Sequence, residues 1–148
     1  MADLNAANSP HRTWLFVYGT LKSGMSNHFR LQGQPFIRQA RTLPRYRLLR
    51  IRWYPGLIDC PESGRSIEGE IYAVDEATLR QLDEFEGVPV LFERRPVLLE
   101  DETHSVEAYF YRGDPSGKQD VGSIWSEDSG SIEKLRLIGD SNSVGDSS

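Results

Sequence analysis

The chain has 148 residues, of which 38% are hydrophobic and 26% are charged. This length suits one globular domain, and no apolar run approaches the roughly 20 residues that a membrane-spanning helix needs. The formal net charge of −5 argues against a nucleic-acid partner, because nucleic-acid binders usually carry a basic surplus. The single cysteine excludes an internal disulfide framework, and the polar N-terminus shows no signal-peptide pattern. A cytoplasmic protein without a membrane partner is therefore expected.

The first half of the chain predicts short strands separated by turns. Residues 1–12 are polar and are expected to be flexible, whereas 14–17 form an apolar strand that runs into a loop at Gly19. A short helical segment is expected from His28 to Leu31, with Asn27 as its N-cap. Further strands are predicted at 34–42, 45–53, 57–58 and 67–74, the last with a bulge or a close backbone contact at Gly69.

The second half contains the clearest helix, from Glu76 to Glu86. Asp75 is a good N-cap, and Gly87 is placed to cap the C-terminal end. Strands are expected at 92–100 and 105–112, and residues 127–148 are expected to be disordered, which leaves a domain over 13–126. Six or seven strands with one long helix predict an α+β fold around a mixed, strongly curved sheet, with closure into a barrel left open.

One acid lies on the apolar side of the predicted helix. At about 100° per residue, Leu79 and Leu82 define the buried stripe, and Glu86 falls inside it. Burial and the helix C-terminus should both raise the pKa of Glu86 from about 4.3 towards 6–7, which suits a general base. Alternatively, the helix ends early and Glu86 reaches water, or Glu86 pairs with Arg94 or Arg95. The two neighbouring acids are expected to be solvated: Asp83 and Glu84.

A strand-to-loop turn provides the second candidate site, formed by Tyr18, Gly19, Thr20 and Leu21. Successive backbone N–H groups in such a turn can form an anion-binding concavity, for which a substrate carboxylate is a natural guest. An ordinary turn is the alternative. A nucleotide-binding loop is disfavoured, because Met25 stands where the phosphate-binding lysine would be required.

Two sequence stretches and their order indicate a family. The stretches FVYGTLKSGMSNHFRL and IEGEIYAVDEATLRQLDEFEG, followed by LFERRPV, resemble the γ-glutamyl cyclotransferase-like superfamily, which includes the AIG2-like proteins. Within it, the YGTLK and LDxFE patterns are most similar to the γ-glutamylaminecyclotransferase branch. The resemblance implies a small mixed β-barrel with flanking helices. It also implies a cofactor-independent enzyme that converts a small γ-glutamyl amide into 5-oxoproline and a free amine.

The resemblance also implies roles for the two candidate sites. Glu86 corresponds to the catalytic glutamate, and Tyr18 to Leu21 correspond to the substrate-binding loop. The chain departs from the family at Phe92, where a tyrosine is common, and after Asp114, so the outer wall of the pocket is unassigned.

Several other residues are expected to be structural. A core-and-turn role is favoured over a place in the pocket lining for Trp53, Tyr54 and Pro55. Packing is favoured for Tyr109 and Tyr111, with a contact of one of them with the site left open. His28 is assigned to the helix start, and Cys60 to a buried position without nucleophilic function. Two functional alternatives stay open beside the γ-glutamylamine enzyme. One is a cyclotransferase for γ-glutamyl amino acids or a γ-glutamyl-acylated carrier, and the other is a non-catalytic metabolite-binding module.

Overall fold

The computed structural model describes residues 11–127, in which seven strands form one mixed sheet beside a single α-helix. The strands are β1 (Thr13–Val17), β2 (Phe36–Arg41), β3 (Tyr46–Arg50), β4 (Pro55–Asp59), β5 (Glu68–Val74), β6 (Phe92–Pro96) and β7 (Glu107–Tyr111). The helices are a 3-10 helix at His28–Leu31 and α1 at Glu76–Phe85. The predicted α+β class is confirmed, and the expectations for 1–10 and 128–148 lie outside the described residues.

Strand β7 lies at the centre of the sheet. It runs parallel to β1, with Leu15 opposite Glu107, and parallel to β4, with Leu57 opposite Phe110. Along its other edge it pairs antiparallel with β6 over its full length. The remaining pairs, β2 with β5, β5 with β1 and β4 with β3, are antiparallel. Because β2 and β3 end this path without pairing with each other, the sheet is curled but does not close into a barrel in the described part of the chain.

Both faces of the sheet are buried, which explains the uninterrupted apolar run of the first strand. Phe16 points into one core cluster, whereas Leu15 and Val17 point into the other. The second cluster also contains Leu79 and Leu82 of α1. Helix α1 and the end of β1 therefore pack on the same side of the sheet, and this packing brings the two candidate sites together.

A glycine allows β5 to approach β1 closely just before the candidate loop begins. A Cβ atom at Gly69 would lie 2.4 Å from the carbonyl oxygen of Val17 and 2.7 Å from the ring of Phe16. The predicted close backbone contact at this position is thus confirmed, and it ties the end of β1 firmly to its neighbour.

Some predicted boundaries were too generous. Strand β6 ends at Pro96 and not at 100. The amide of Val97 still donates to the carbonyl of Val106 at 2.9 Å, but Leu98 and Glu100 bond instead to the segment 41–43. Strand β3 ends at Arg50, where the chain turns towards β4. Beyond β7 the chain continues to pack against the sheet, with the Trp125 side chain only 3% exposed in the first cluster. Among residues 11–127, no helix is long and apolar enough to cross a membrane.

Candidate active site

Helix α1 is built so that its last turn faces the interior. Asp75 caps the N-terminus, since its carboxylate accepts a hydrogen bond of 2.8 Å from the amide of Thr78. Leu79 and Leu82 are buried, as their spacing predicts. Glu86 follows Leu82 by four positions, so it continues the same inward face one turn later.

The helix ends in a glycine-capped turn that holds Glu86 in place. Glu86 is the C-cap residue, and its amide still donates to the carbonyl of Leu82 at 2.8 Å. Gly87 adopts a positive φ of 69°, which favours glycine. The amides of Gly87 and Val88 donate to the carbonyls of Glu84 and Asp83, the paired pattern of a Schellman motif. The predicted cap is confirmed, and the helix proper is one residue shorter than predicted.

The Glu86 side chain lines a cavity of about 220 Å³. It is partly exposed because the cavity is open to it, yet protein atoms surround it on its other sides. Burial raises the pKa of Glu86 from its ordinary 4.5 to about 7; the nearby Arg30 lowers it, and the nearby Asp83 raises it. Full solvation does not hold, since Glu86 is only partly exposed. Pairing with Arg94 or Arg95 does not hold either, since within residues 11–127 Arg94 pairs with Asp83 and Glu107, and Arg95 pairs with Asp59 and Glu93.

The candidate loop lines the same cavity as Glu86. Tyr18, Gly19, Thr20 and Leu21 all contribute to its wall. Within residues 11–127, the amides of Gly19, Thr20 and Leu21 donate to no acceptor, although the carbonyl of Gly19 accepts from the amide of Lys22 at 3.1 Å. Three successive amides without partners beside a cavity can receive an anionic ligand.

Side chains around the loop hold it in shape. The Tyr18 hydroxyl donates to the carbonyl of Tyr109 at 2.7 Å and accepts from the amide of Leu57 at 3.2 Å, which binds the loop to β7 and β4. Nδ1 of His28 donates to the carbonyl of Leu21 at 2.9 Å, so His28 supports the loop in addition to starting the 3-10 helix. The phenol of Tyr18 is therefore occupied in structural contacts.

Asn27 is the N-cap residue of the 3-10 helix, as expected, but its side chain does not act as the cap. Its side chain makes no capping hydrogen bond to the 3-10 helix. Instead, Nδ2 donates to the Thr20 hydroxyl at 3.2 Å, and Oδ1 accepts from Nε of Arg30 at 3.1 Å. The amide side chain reaches the loop because it is buried between the loop and the helix, where a polar group must find partners.

An apolar wall completes the lining of the cavity next to the loop. Trp53, Tyr54 and Pro55 line it, so their assignment to core and turn alone is wrong. The hairpin between β3 and β4 carries them to the cavity because β4 lies beside β7 in the curled sheet. Phe92 also lines the cavity, where its ring packs against Tyr54 at a centroid distance of 6.2 Å.

Three further predictions, for the two tyrosines, the cysteine and Glu84, have different outcomes. Tyr109 lines the cavity as well as packing in the core, whereas Tyr111 only packs against the core. Cys60 is half-buried rather than buried, and its sulfur lies 3.3 Å from the hydroxyl of Ser63, away from the cavity. Glu84 is exposed as expected.

The expectation that Asp83 is solvated is wrong. Its carboxylate receives two hydrogen bonds from Arg94, at 2.8 and 2.9 Å, and one from the hydroxyl of Tyr109 at 2.7 Å. Burial alone would raise the pKa of Asp83, but these hydrogen bonds and the charge of Arg94 outweigh it and lower that pKa. Sequence reasoning missed this group, although the three-residue spacing of Asp83 and Glu86 places them side by side on a helix.

Comparisons with known proteins identify the family of this chain. The model of the family described as gamma-glutamyl cyclotransferase, AIG2-like, matches residues 15–128, which include the loop and Glu86. The chain belongs to this family. The match reaches beyond the stretches quoted above and takes in the segment that contains Trp125.

Two relatives illustrate the similarity in sequence. Human gamma-glutamylaminecyclotransferase is 45% identical over 103 residues, which cover 63% of this chain and 67% of the human protein. A Vibrio cholerae protein with a provisional gamma-glutamylcyclotransferase name is 40% identical over 109 residues, covering 68% of this chain and 92% of that protein. A mouse AIG2-like protein of known crystal structure shares the fold, with a TM-score of 0.67 and 28% identity over 77% of this chain and 88% of the mouse chain.

The first prediction concerns the glycine of the loop. A Cβ atom at Gly19 would lie 2.6 Å from Cγ of Pro55, so Gly19→Ala must push the loop away from the start of β4. Because small displacements of a positioning group are costly, we expect about a tenfold or greater rise in KM for a γ-glutamyl substrate, measured by release of 5-oxoproline. Thr20→Ser, which keeps the hydroxyl for Asn27, is the matched control and should stay within about twofold. Equal KM values for Gly19→Ala and the wild type would contradict this account of the loop.

Proposed function

We propose that this chain is a γ-glutamyl cyclotransferase acting on γ-glutamylamines, with Glu86 as its acid–base group. The observation that carries the proposal is the placement of Glu86, a carboxyl group with a pKa of about 7, in one cavity with the amides of Gly19 to Leu21, which have no acceptor among residues 11–127. An acid–base group works best when its pKa lies near the operating pH. Membership of the family supports the same reaction.

In the proposed reaction the substrate supplies its own nucleophile. The α-ammonium group has a pKa of about 8 and must lose a proton, which the ionised Glu86 accepts. The freed nitrogen lone pair attacks the γ-carbonyl carbon and closes a five-membered ring. The attacking nitrogen becomes cationic in the ring and must lose a second proton. When the bond from the carbonyl carbon to the leaving nitrogen breaks, protonated Glu86 gives its proton to that nitrogen. The second proton also passes to the released amine, which leaves as an ammonium ion. The carboxyl group ends in its starting state, and the products are 5-oxoproline and a free amine.

The loop would bind the glutamyl end of the substrate. We propose that the amides of Gly19, Thr20 and Leu21 receive its carboxylate, which would hold the substrate bent for ring closure. Ring closure is already intramolecular, so the selection of this conformer can supply much of the rate gain. The proton transfers through one well-placed group would add about 10²–10⁴-fold.

The lining of the cavity favours amines as leaving groups. Among the described residues that form its wall, Glu86 is the only one with a charged side chain. The leaving part of a γ-glutamyl amino acid carries a carboxylate beside the scissile amide, and this carboxylate would find no cation in the wall. Trp53, Tyr54 and Phe92 instead offer apolar surface to the carbon chain of an amine. We therefore propose γ-glutamylamines as the preferred substrates, and we regard γ-glutamyl amino acids and γ-glutamyl-acylated carriers as the less favoured alternatives.

A non-catalytic binding module is the alternative from another class. A protein that only bound a glutamyl group would gain little from a partly buried acid beside the amide. We further propose that the enzyme acts on a small molecule in the cytoplasm, in keeping with its single cysteine, Cys60, and its net charge of −5.

The second prediction tests the reaction and the acid together. Incubation of the wild type with γ-glutamylamines, γ-glutamyl amino acids and a γ-glutamyl peptide should release 5-oxoproline most rapidly from the amines. Glu86→Gln keeps the shape of the side chain but cannot carry the proton, so kcat should fall by at least about 10²-fold. Glu84→Gln, on the exposed side of the same helix, is the matched control and should keep full activity. Turnover by Glu86→Gln at the wild-type rate would rule out the mechanism, whereas binding without any turnover by the wild type would favour the binding module.

The third prediction concerns pH. Because Glu86 must be ionised to accept the proton and has a pKa of about 7, activity should fall as pH drops through about 7. The acidic limb of log(kcat/KM) against pH should have unit slope and a midpoint near that value. A profile that stays flat down to pH 5 would show that Glu86 is not the titrating group.

A further inference from the structure

A second acid lies next to Glu86 and is tied into the sheet. Arg94 of β6 grips Asp83 with two hydrogen bonds, from Nε to Oδ1 at 2.8 Å and from Nη2 to Oδ2 at 2.9 Å. The same guanidinium reaches Glu107 of β7 through Nη1 at 2.5 Å. The side chains of Arg94 and Asp83 are only 25% and 23% exposed, so this pair is better shielded from water than a surface ion pair.

The Asp83–Arg94 pair fixes the C-terminal end of α1, where Glu86 is located. Asp83 lies one helical turn before Glu86, and its carbonyl also accepts the hydrogen bond from Val88 that closes the terminal turn. The hydroxyl of Tyr109, which lines the cavity, donates to Asp83 at 2.7 Å. Asp83 thus links the helix end, β6 and the cavity wall at one point.

Charged and titratable groups on several elements interact with Glu86. Arg30 lies on the 3-10 helix, with its guanidinium 3.8 Å from the ring centroid of Phe85, and its charge lowers the pKa of Glu86. Asp83 on α1 acts in the opposite direction. Three phenols interact electrostatically with Glu86, and burial raises the pKa of each, so they are neutral near pH 7: Tyr18, Tyr54 and Tyr109.

We propose that Asp83 and Arg94 are positioning residues for Glu86, which fix the end of α1 against the sheet and set the balance of charge that the acid–base group faces. Asp83 supplies the negative charge beside Glu86, and Arg94 both holds that charge in place and partly neutralises it. Arg30 provides the opposing positive charge from the other side. The inference rests on the proposed role of Glu86 as the acid–base group.

Removal of the acid and removal of the base of this ion pair should shift the ionisation of Glu86 in opposite directions. Asp83→Asn removes the negative charge and leaves Arg94 less neutralised, so Glu86 should ionise more easily. The acidic limb of the pH–rate profile should then move to lower pH by about half a unit or more. Arg94→Met leaves Asp83 ionised but not neutralised, so the limb should move to higher pH by a similar amount.

Three measurements separate positioning from a general loss of stability. Glu84→Gln makes the same charge change as Asp83→Asn on the exposed side of α1 and should leave the acidic limb in place. Arg94→Lys keeps the positive charge, so its acidic limb should lie close to that of the wild type. Unfolding of each variant is followed in parallel. If the ion pair were only structural, its loss would lower the melting temperature of both Asp83→Asn and Arg94→Met. The acidic limbs of their pH–rate profiles would then stay at the same pH. Unchanged limbs, or limbs that move in the same direction, would overturn the proposal.

The test also distinguishes this inference from the proposed function. If the wild type released no 5-oxoproline, the proposed function would fail, but the charge balance could still be measured. The carboxyl carbon of Glu86, labelled with ¹³C, is titrated by NMR in Asp83→Asn and Arg94→Met. Opposite displacements of its midpoint support the inference, and coincident midpoints reject it, whatever the turnover.

Discussion

The partial burial of the Glu86 carboxyl group is the constraint on which the site depends. The ionised form is costly in a poorly solvated position, and this cost raises the pKa of Glu86 from 4.5 to about 7. The folded protein therefore binds this proton more tightly than the unfolded chain. It follows that the contribution of Glu86 to stability is largest below about pH 4.5 and is lost as pH rises through about 7. The ionised form, which the proposed reaction requires, is thus the less stable one, a common conflict at active sites.

The fold meets this cost by fixing both ends of the site. On one side, Leu79 and Leu82 anchor α1 in the core, and the Schellman turn at Gly87 keeps Glu86 directed inwards. On the other side, hydrogen bonds of the Tyr18 hydroxyl and of the His28 ring fix the loop and keep its amides aligned. The strand β7 connects the two, because Tyr109 contacts both the loop and Asp83. Preorganised groups of this kind need little rearrangement when a substrate binds.

Local patterns in the sequence were enough to mark the acid and the loop as candidates, and the resemblance to the family favoured them over the structural alternatives. The spacing of Leu79, Leu82 and Glu86 on a helix predicted which carboxyl group turns inwards, and Asp75 and Gly87 marked the ends of that helix. The glycine of the loop and the preceding apolar run predicted a strand that opens into a turn. These features depend only on residues that are close together in the chain.

Features that depend on distant residues were not accessible in the same way. Arg94 reaches Asp83 only because β6 folds back along β7, and no local pattern shows which acid an arginine will choose. The placement of Trp53 and Tyr54 in the cavity wall follows from the curl of the sheet, which brings the hairpin of β3 and β4 beside β7. Closure into a barrel was likewise beyond reach, since it depends on whether β2 and β3 meet.

The central claim is that Glu86 holds its proton up to about pH 7, and its titration in the folded wild type tests this most directly. The protein is labelled with ¹³C at the glutamate side-chain carboxyl carbons, and the Glu86 resonance is assigned by its loss in Glu86→Gln. The structure predicts a midpoint of about 7. A midpoint at the ordinary value of 4.5 would show that the carboxyl group is solvated like any surface glutamate, and this would contradict the account.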